Sequence, residues 1–476
     1  MTLLETISVD QPPEYGILLA GEPVGGGGPT LELTSRQNAA VIGRVASASA
    51  ADVTTAFDRA SAALPAWKAM LPSERAGILQ RAATLFRERA EEIGAIISDE
   101  MGKPRGEAAT EVGKGAAILD YFAQAPYRKT GDAWLTDTGE DVFTIVEPLG
   151  VVALITPWNF PFTLPMRKIA AALSTGNTVL FKPATNAGLC GLAIGRTLAD
   201  AGLPDGVMSV ILGQSSVIQE ALFRDPRLGG VSLTGSYPTA EVIRQLLPVE
   251  VPFQAELGGK NALVVWADAD LDLATDVVWA SSFRNNGQIC TSCGRLLVHE
   301  SIAPRLLDRL RERIDSAPAG EYGILSSTSE FDKIRDTIAR NRDQVSEVVD
   351  ADWGDGRMSP TLLVNPAGGE LIEEEIFGPV ITIETVGSIE EAIDQANATA
   401  YGLTAGIVTN DLEVAKTFWS RANAGLVKVN VPLTGTPFHI PLRGWGHSGV
   451  GPGEGGEVSL DFFTKKKAVY LRRPTA

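Results

Sequence analysis

One cysteine of this 476-residue chain stands in a setting that suits a reaction better than packing. Cys290 follows Gly287 and Gln288 and precedes Thr291 and Ser292, a polar, turn-prone surround that a buried structural thiol does not need. Taken alone, a free cysteine is more often a small apolar core residue than a nucleophile. The pattern therefore indicates a reactive thiol only if other stretches provide its partners.

Two other stretches provide such partners. Residues 254–260, QAELGGK, place Glu256 34 positions before Cys290, and residues 155–161, ITPWNFP, contain Asn159. A carboxyl among apolar residues and glycines is a candidate general base, because burial raises the pKa of an acid. The Asn159 amide is a candidate donor to an oxyanion. In isolation, Glu256 could be a solvated charge and Asn159 a turn residue.

Four motifs in a fixed order, PWNFP, ELGGK, GQIC and EEIFGPV, resemble the aldehyde dehydrogenase superfamily over nearly the whole chain. The resemblance implies NAD(P)+-dependent oxidation of an aldehyde to a carboxylic acid. The thiolate of Cys290 would add to the carbonyl carbon, and the resulting thiohemiacetal can expel hydride. Asn159 and the Cys290 backbone N–H would stabilise the oxyanion, and Glu256 would activate the water that hydrolyses the thioester.

The same resemblance implies where NAD or NADP binds. Lys182 and Glu375 match the residues that hold the adenosine ribose and the nicotinamide ribose. The chain has no G-x-G-x-x-G after a strand; Gly235 and Ser236 instead precede a helix start, which can face a pyrophosphate or be a plain turn. Thr185 replaces a glutamate of NAD-preferring relatives, so use of NADP+ is expected, with tolerance of both cofactors as the alternative. The predicted cofactor set is Thr156, Pro157, Trp158, Lys182, Thr185, Gly213, Gly235, Ser236, Leu257, Glu375 and Phe377.

The substrate is predicted to be a carboxylate-bearing semialdehyde. NVPLTG, SGVGPGEGG and DFFT look like the subgroup that oxidises 2-oxoglutarate semialdehyde (2,5-dioxopentanoate), whereas FRNNGQIC and PMRK look like succinate semialdehyde dehydrogenases. In the latter, arginines at two matching positions grip the distal carboxylate. The predicted substrate residues are Arg167, Arg284, Phe160, Phe438 and Leu442, with Arg443 as a possible third cation in PLRG, where many members read PFGG.

Three alternatives stay open at this point. One is a broad-specificity aliphatic or aromatic aldehyde dehydrogenase. A CoA-acylating enzyme is disfavoured by Glu256, which would waste the thioester by hydrolysis. A catalytically silent structural relative could have lost Cys290 or Glu256, yet both are present.

Cys293 is close enough in sequence to Cys290 for a redox disulfide, or it packs in the core.

Composition restricts the partners. The net charge of −17 and a pI near 4.8 argue against nucleic acid. The short run Lys465–Lys467 is interpreted as the solvated face of an edge strand. Three cysteines cannot build a disulfide framework, and the chain does not begin with a basic segment followed by an apolar one, so a cytoplasmic location is expected. No apolar run approaches the roughly 20 residues of a membrane span. No metal is predicted, since none of the three histidines has a partner at metal-ligand spacing.

Alternation of strand-like and helical segments from residue 151 predicts an α/β fold with a doubly wound parallel sheet. Strands are predicted near Val151–Thr156, Thr178–Lys182, Met208–Leu212, Val231–Thr234 and Ala262–Val265. Residues 1–30 are expected to be irregular, and Ser73 to cap one long helix that stops before Gly102. By resemblance, a strand-like arm at 134–146 pairs with the last strand and packs on another subunit of a homodimer or homotetramer. The predicted domains are a dinucleotide-binding domain (1–125 and 149–255), a catalytic α/β domain (256–447) and a small β oligomerisation arm (126–148 and 448–476).

Overall fold

Two large sheets of mainly parallel strands dominate the computed structural model, which describes residues 12–128, 131–318, 322–351 and 357–472. Helices alternate with the strands in both halves of the chain. The predicted α/β class is therefore confirmed.

The strands are β1 (Glu14–Tyr15), β2 (Ile17–Leu19), β3 (Glu22–Val24), β4 (Thr30–Thr34), β5 (Val41–Ala46), β6 (Ala133–Trp134), β7 (Asp141–Pro148), β8 (Val151–Ile155), β9 (Thr178–Lys182), β10 (Met208–Val210), β11 (Leu228–Thr234), β12 (Phe253–Glu256), β13 (Asn261–Val265), β14 (Cys293–His299), β15 (Glu347–Val349), β16 (Thr361–Val364), β17 (Val380–Val386), β18 (Tyr401–Gly402), β19 (Thr404–Val408), β20 (Leu426–Val429), β21 (Trp445–Gly446), β22 (Gly449–Val450) and β23 (Thr464–Leu471). The helices are α1 (Ala50–Ala69), α2 (Pro72–Glu88), α3 (Ala90–Met101), α4 (Arg105–Ala123), α5 (Thr163–Ser174), α6 (Gly188–Asp200), α7 (Ser215–Phe223), α8 (Tyr237–Leu246), α9 (Leu271–Ser282), α10 (Ala303–Ser316), α11 (Thr328–Arg340), α12 (Glu370–Glu373), α13 (Ile389–Asn397), α14 (Leu412–Arg421) and α15 (Gly456–Phe462).

The first large sheet has the strand order β22-β12-β11-β8-β9-β10-β2-β3, and the five strands from β12 to β10 are parallel. The strands β8 and β9 read VVALI and TVLFK and are almost wholly buried, as expected for parallel strands covered on both faces. Parallel strands end at the same edge of a sheet. Lys182, Thr234 and Glu256, the last residues of β9, β11 and β12, therefore share one edge.

The second large sheet has the order β15-β16-β17-β14-β13-β19-β20, with only β15 antiparallel to its neighbour. Its strands β13 and β14 begin at Asn261 and Cys293. A link of four residues, 257–260, joins the carboxyl end of β12 to the amino end of β13. The carboxyl edge of the first sheet and the amino edge of the second are thus tied together at this point.

Two sequence predictions about the first sheet are wrong. The sequence predicts an irregular segment for residues 1–30, but β2 and β3 join the sheet as its edge strands, while residues 1–11 lie outside the described part of the chain. The sequence also assigns Ala262–Val265 to the first sheet, whereas β13 belongs to the second and the unpredicted β12 completes the first. Alternation of strands and helices does not reveal which sheet a strand joins, because that is decided by tertiary pairing.

The helix predicted from Ser73 to Gly102 is interrupted. It begins instead at Pro72, whose missing N–H is no loss in the first turn, and the Glu74 carboxylate accepts a hydrogen bond from the Leu71 N–H at 3.2 Å. The segment then divides at Arg89 into α2 and α3. The apolar spacing continues across the division, so the pattern alone does not show it.

The predicted pairing of the strand arm with the last strand is present in a small antiparallel sheet, β23-β7-β6, in which Lys467 pairs with Ile145. Its packing on another subunit stays a prediction, as do the domain boundaries. Lys465–Lys467 are exposed on the edge strand β23, as predicted. Within residues 12–472, apart from the undescribed gaps, no helix is long and apolar enough to cross a membrane.

A buried ion pair braces the loop between β8 and α5. The Lys103 ammonium lies 2.6 Å from the Glu111 carboxylate, and both side chains are almost fully buried. The other Glu111 oxygen accepts hydrogen bonds from the backbone N–H groups of Phe162 and Thr163, at 3.0 and 3.1 Å. Glu111 thereby fixes the start of α5, just after the segment that contains Asn159.

We predict that Glu111→Ala lowers stability by about 3–5 kcal/mol, because it leaves the Lys103 charge buried without its partner. The midpoint of thermal unfolding, followed by circular dichroism, measures this change. Asp120→Ala is the matched control, since it breaks the exposed Arg87–Asp120 pair, and such pairs contribute about 0–1 kcal/mol. Equal midpoints for the two variants would contradict the bracing role of Glu111.

Candidate active site

The backbone just before Cys290 adopts a conformation that few residue types tolerate. Asn285, Asn286 and Gly287 have φ values of 50°, 54° and 67° in succession. Asparagine and glycine are the types that enter this left-handed region most readily. At Gly287 a Cβ atom would lie 2.1 Å from the Gly378 carbonyl oxygen, so a side chain is excluded there. This turn carries the chain from the end of α9 to Cys290, which is half-buried.

Asn261 holds the cysteine segment from the other side. Its Nδ2 donates hydrogen bonds to the carbonyl oxygens of Cys290 and Ser292, at 2.8 and 2.7 Å, and its Oδ1 accepts one from the Thr404 N–H at 3.2 Å. Sequence reasoning missed Asn261. Its position directly after ELGGK is the signal that could have found it.

The predicted oxyanion donor, Asn159, lies against the same turn. Its Nδ2 donates a hydrogen bond to the Gln288 carbonyl oxygen at 2.9 Å, and the side chain is only 4% exposed. An amide nitrogen carries two hydrogens, so one remains for another acceptor. The structure therefore brings Asn159 next to the segment that carries Cys290.

The predicted base, Glu256, is buried at the end of β12. The Gly444 N–H donates a hydrogen bond to one carboxylate oxygen at 3.2 Å, and the other oxygen is buried with no hydrogen-bond partner among the described residues. Burial, and then the charge of Glu454, raise the pKa of Glu256 to about 8, against the opposing effects of Lys168 and Arg443. Raised pKa values of this kind are typical of groups that exchange protons near neutral pH.

Sequence reasoning missed the ion pair behind Glu256. The Lys168 ammonium lies 2.7 Å from the Glu454 carboxylate and 2.9 Å from the Ser232 hydroxyl, and both charged side chains are buried. Lys168 follows Arg167 in PMRK, and Glu454 lies in PGEGG, but neither motif predicts that the two residues pair. The pair places one opposing and one like charge near the Glu256 carboxyl.

The Cys290 thiol holds its proton tightly. Burial raises its pKa to about 12, with further increases from the charges of Glu375 and Glu256, whereas the Thr291 N–H and Arg167 act in the opposite direction. At neutral pH the sulfur is therefore a thiol, and a base must take its proton before it can attack a carbonyl carbon. Glu256 and Glu375 are the two carboxyls whose charges reach it.

Glu375 packs against the glycines of ELGGK. The Gly259 N–H donates a hydrogen bond to its carboxylate at 3.1 Å, and a Cβ at Gly258 would lie 2.1 Å from a Glu375 oxygen. Burial raises the pKa of Glu375 to about 7. Phe377, two residues after Glu375 in EEIFGPV, has a φ of 57°. Its ring lies edge-on to that of Trp158, with 5.5 Å between the ring centres.

The predicted cofactor residues lie at the carboxyl edge of the first sheet, where dinucleotides bind in open α/β folds. The hydroxyls of Thr156 and Thr234, which follow β8 and end β11, are buried with no partner among the described residues. Ser236 caps α8 by accepting a hydrogen bond from the Thr239 N–H. Burial lowers the pKa of Lys182 to about 8. Unpartnered hydroxyls, a helix N-terminus and a lysine at one edge fit NAD or NADP. Three further predicted residues follow strands of this sheet, namely Pro157, Thr185 and Gly213. Leu257, directly after β12, is buried, and its N–H donates a hydrogen bond to the Ser448 carbonyl oxygen.

The predicted substrate residues differ in their placement. Arg167 is 8% exposed; its Nη2 donates a hydrogen bond to the Thr436 carbonyl oxygen at 2.6 Å, and its Nη1 is buried without a partner among the described residues. Arg284 is exposed, so the convergence of both arginines on one tunnel stays a prediction. The Phe160 ring lies under the Lys103 ammonium at 4.1 Å, the half-buried Phe438 ring is 5.4 Å from that of Tyr121, and Leu442 bridges to Glu454 through backbone hydrogen bonds.

Cys293 is buried in the core, as one of the two predicted alternatives expects. It is 2% exposed in the core cluster of the second sheet, and its thiol donates to the Arg295 carbonyl oxygen at 3.2 Å. The described residues contain no group of three or more His, Cys, Asp or Glu side chains that could hold a metal ion.

Comparisons with known proteins identify the family of the chain. The aldehyde dehydrogenase family model matches residues 24–469. The chain is 35% identical over 451 residues to the alpha-ketoglutaric semialdehyde dehydrogenase of Bacillus subtilis, covering 91% of this chain and 92% of that protein. It is 34% identical over 435 residues to the 2,5-dioxopentanoate dehydrogenase of Saccharolobus solfataricus, covering 88% and 91%. The solved structure of the NADP-dependent glyceraldehyde-3-phosphate dehydrogenase from Bacillus halodurans, complexed with NADP, matches with a TM-score of 0.92 at 32% identity and covers 97% of this chain and 99% of that one. The resemblance seen in the four motifs is thus confirmed: the chain belongs to the aldehyde dehydrogenase family and is an NAD(P)-dependent aldehyde dehydrogenase.

Proposed function

We propose that this enzyme oxidises its aldehyde through a covalent intermediate on Cys290. The observation that carries the proposal is that Asn261, five residues after the buried Glu256, donates a hydrogen bond to the Cys290 carbonyl oxygen at 2.8 Å. The charge of Glu256 also raises the pKa of the Cys290 thiol, which supports a base near the nucleophile. The second Glu256 oxygen, buried without a partner among the described residues, is free to accept a proton.

In this mechanism the Glu375 carboxylate, whose charge acts on the thiol, takes the Cys290 proton as sulfur bonds to the carbonyl carbon. The carbonyl oxygen becomes an oxyanion that accepts hydrogen bonds from Asn159 and the Cys290 N–H. NAD(P)+, when bound, supplies the acceptor for the hydride that leaves the same carbon. Cys290 then carries a thioester, and Glu256 takes a proton from water, whose oxygen bonds to the acyl carbon as the carbon–sulfur bond breaks. The departing sulfur takes back the proton held by Glu375, and Glu256 releases its proton to solvent.

For the substrate, we propose a semialdehyde with a terminal carboxylate, of the 2-oxoglutarate semialdehyde or succinate semialdehyde type. The support is Arg167, whose unpartnered Nη1 and charge act near Cys290. A guanidinium binds a carboxylate with two charge-assisted hydrogen bonds. Two relatives named for alpha-ketoglutaric semialdehyde and 2,5-dioxopentanoate oxidation support the five-carbon choice. A broad-specificity aldehyde dehydrogenase is the alternative.

We also propose a homodimer or homotetramer in the cytoplasm. Supporting the assembly, the β23-β7-β6 sheet and its flanks expose large apolar side chains, namely Trp134, Leu135, Tyr470 and Leu471. Supporting the location, all three cysteines are free thiols.

Glu256→Gln should form the acyl-enzyme but hydrolyse it slowly, giving a burst of reduced cofactor and an acyl adduct on Cys290 detectable by mass spectrometry. In the parent enzyme the deacylation rate should rise as the pH passes about 8, because Glu256 must be ionised to act as a base. Cys290→Ala is the control and should give neither burst nor adduct. Full steady-state turnover in Glu256→Gln would remove Glu256 from the mechanism.

NADP+ should be used with a kcat/KM at least comparable to that of NAD+, because the half-buried Thr185 cannot repel a 2′-phosphate. Thr185→Glu should shift the preference toward NAD+, whereas the uncharged Thr185→Val should shift it much less. A kcat/KM with NAD+ more than about tenfold above that with NADP+ in the parent enzyme would reject the preference.

Four- and five-carbon semialdehydes with a terminal carboxylate should exceed propanal in kcat/KM. Arg167→Ala should raise KM for the acids by an amount equivalent to about 2 kcal/mol and leave KM for propanal nearly unchanged. Arg335→Ala, which removes an exposed guanidinium on α11, is the matched control, and the same assay on Arg284→Ala tests the second arginine. Equal efficiency of the parent enzyme on neutral and anionic aldehydes would leave the broad-specificity alternative.

A further inference from the structure

Three consecutive carbonyl groups of one loop converge on a single lysine. The Nζ atom of Lys428, on the edge strand β20, donates hydrogen bonds to the carbonyl oxygens of Leu433, Thr434 and Gly435, at 2.7, 3.1 and 2.8 Å. An ammonium group has three N–H donors, so all of them are used on this loop. Without a cation, three carbonyl dipoles that point at one position would repel each other.

The same loop is attached at two other places. The Leu433 N–H donates a hydrogen bond to the Ser281 hydroxyl at 3.0 Å, and the Thr434 hydroxyl donates one to the Ala280 carbonyl at 3.0 Å. Both partners lie in the last turn of α9, which leads to Cys290. The turn itself passes through Gly435, which has a φ of 80°. Lys428 therefore closes a loop whose start is fixed to the helix that precedes the nucleophile.

The residue after this turn holds Arg167. The carbonyl oxygen of Thr436 accepts the 2.6 Å hydrogen bond from Arg167 Nη2, which leaves Nη1 as the buried, unpartnered nitrogen. A planar guanidinium held at one nitrogen presents the other in a fixed direction. The position of the Thr436 carbonyl thus decides where Arg167 can meet a carboxylate.

We propose that Lys428 is a positioning residue for the acidic end of the substrate, acting through the loop and Arg167. The proposal rests on the anionic substrate proposed above. Lys428 itself does not touch the substrate; it keeps the loop carbonyls together, and the loop keeps the Arg167 guanidinium aimed. Burial lowers the pKa of Lys428 to about 8, which agrees with an ammonium taken out of water by the loop that surrounds it.

The test compares KM and kcat in Lys428→Met, which keeps the length of the side chain and removes its donors. KM for a five-carbon semialdehyde acid should rise about tenfold or more, because the loop loses its charge-assisted hydrogen bonds to Lys428 and no longer holds the Arg167 guanidinium in place. By contrast, kcat and the KM values for propanal and NADP+ should change by less than about threefold. Lys428→Gln, whose amide keeps two donors, should fall between the parent and Lys428→Met. Lys416→Met, which alters an exposed lysine of α14, is the matched control and should behave as the parent does.

A double-mutant cycle separates positioning from a general loss of structure. If Lys428 acts through Arg167, Lys428→Met should raise KM for the acid no further in an Arg167→Ala background. Additive effects, an equal rise in KM for propanal, or an unchanged KM for the acid would each overturn the proposal. Those outcomes leave the anionic substrate standing as long as the parent enzyme prefers acids. A parent enzyme without that preference would instead remove the substrate proposal and this inference together.

Discussion

The four-residue link between β12 and β13 constrains the whole site. It must pass from the end of one sheet to the beginning of the other, and a Cβ atom at Gly258 would lie 2.1 Å from a Glu375 carboxylate oxygen, so any side chain there would displace that carboxylate. Glu256 immediately precedes this link and Asn261 immediately follows it. Because Asn261 holds the carbonyl groups of Cys290 and Ser292, the base and the nucleophile are positioned by the two ends of one short segment.

Burial gives the groups around this link an unusual protonation pattern. It is the largest cause of the raised pKa values of Cys290, Glu256 and Glu375, about 12, 8 and 7, and of the lowered pKa of Lys260, about 8. In each case the neutral form gains. Where burial favours the neutral form of lysines as well as acids, an arginine is the side chain that can still attract a carboxylate, because a guanidinium keeps its proton. The buried position of Arg167 next to such groups is therefore consistent with a substrate that brings its own negative charge.

The sequence was sufficient wherever a function depends on local pattern. The sequence predicts a helix that starts at Ser236, and the Ser236 hydroxyl caps α8, because an N-cap needs only residues three positions apart. The sequence also predicts a strand that ends at Lys182, and Lys182 is the last residue of β9. The pairing of Lys168 with Glu454, and the assignment of β13 to the second sheet, could not be predicted. Both depend on which distant segments meet, and neither segment carries a local mark of its partner.

The end of α9 helps to position both the nucleophile and the arginine proposed to bind the substrate carboxylate. From its last residue the chain turns through three left-handed residues to Cys290, and its final turn also holds the loop that supplies the Thr436 carbonyl to Arg167. The Cys290 sulfur and the Arg167 guanidinium are thus both positioned relative to the end of α9, although they come from different parts of the chain. A semialdehyde acid has a fixed reach between its carbonyl carbon and its carboxylate. If that reach matches the spacing between sulfur and guanidinium, binding the carboxylate also places the carbon for attack, and part of the entropic barrier is removed before the reaction begins. A common anchor keeps that spacing constant, so the length of the substrate chain becomes a property that the enzyme can select.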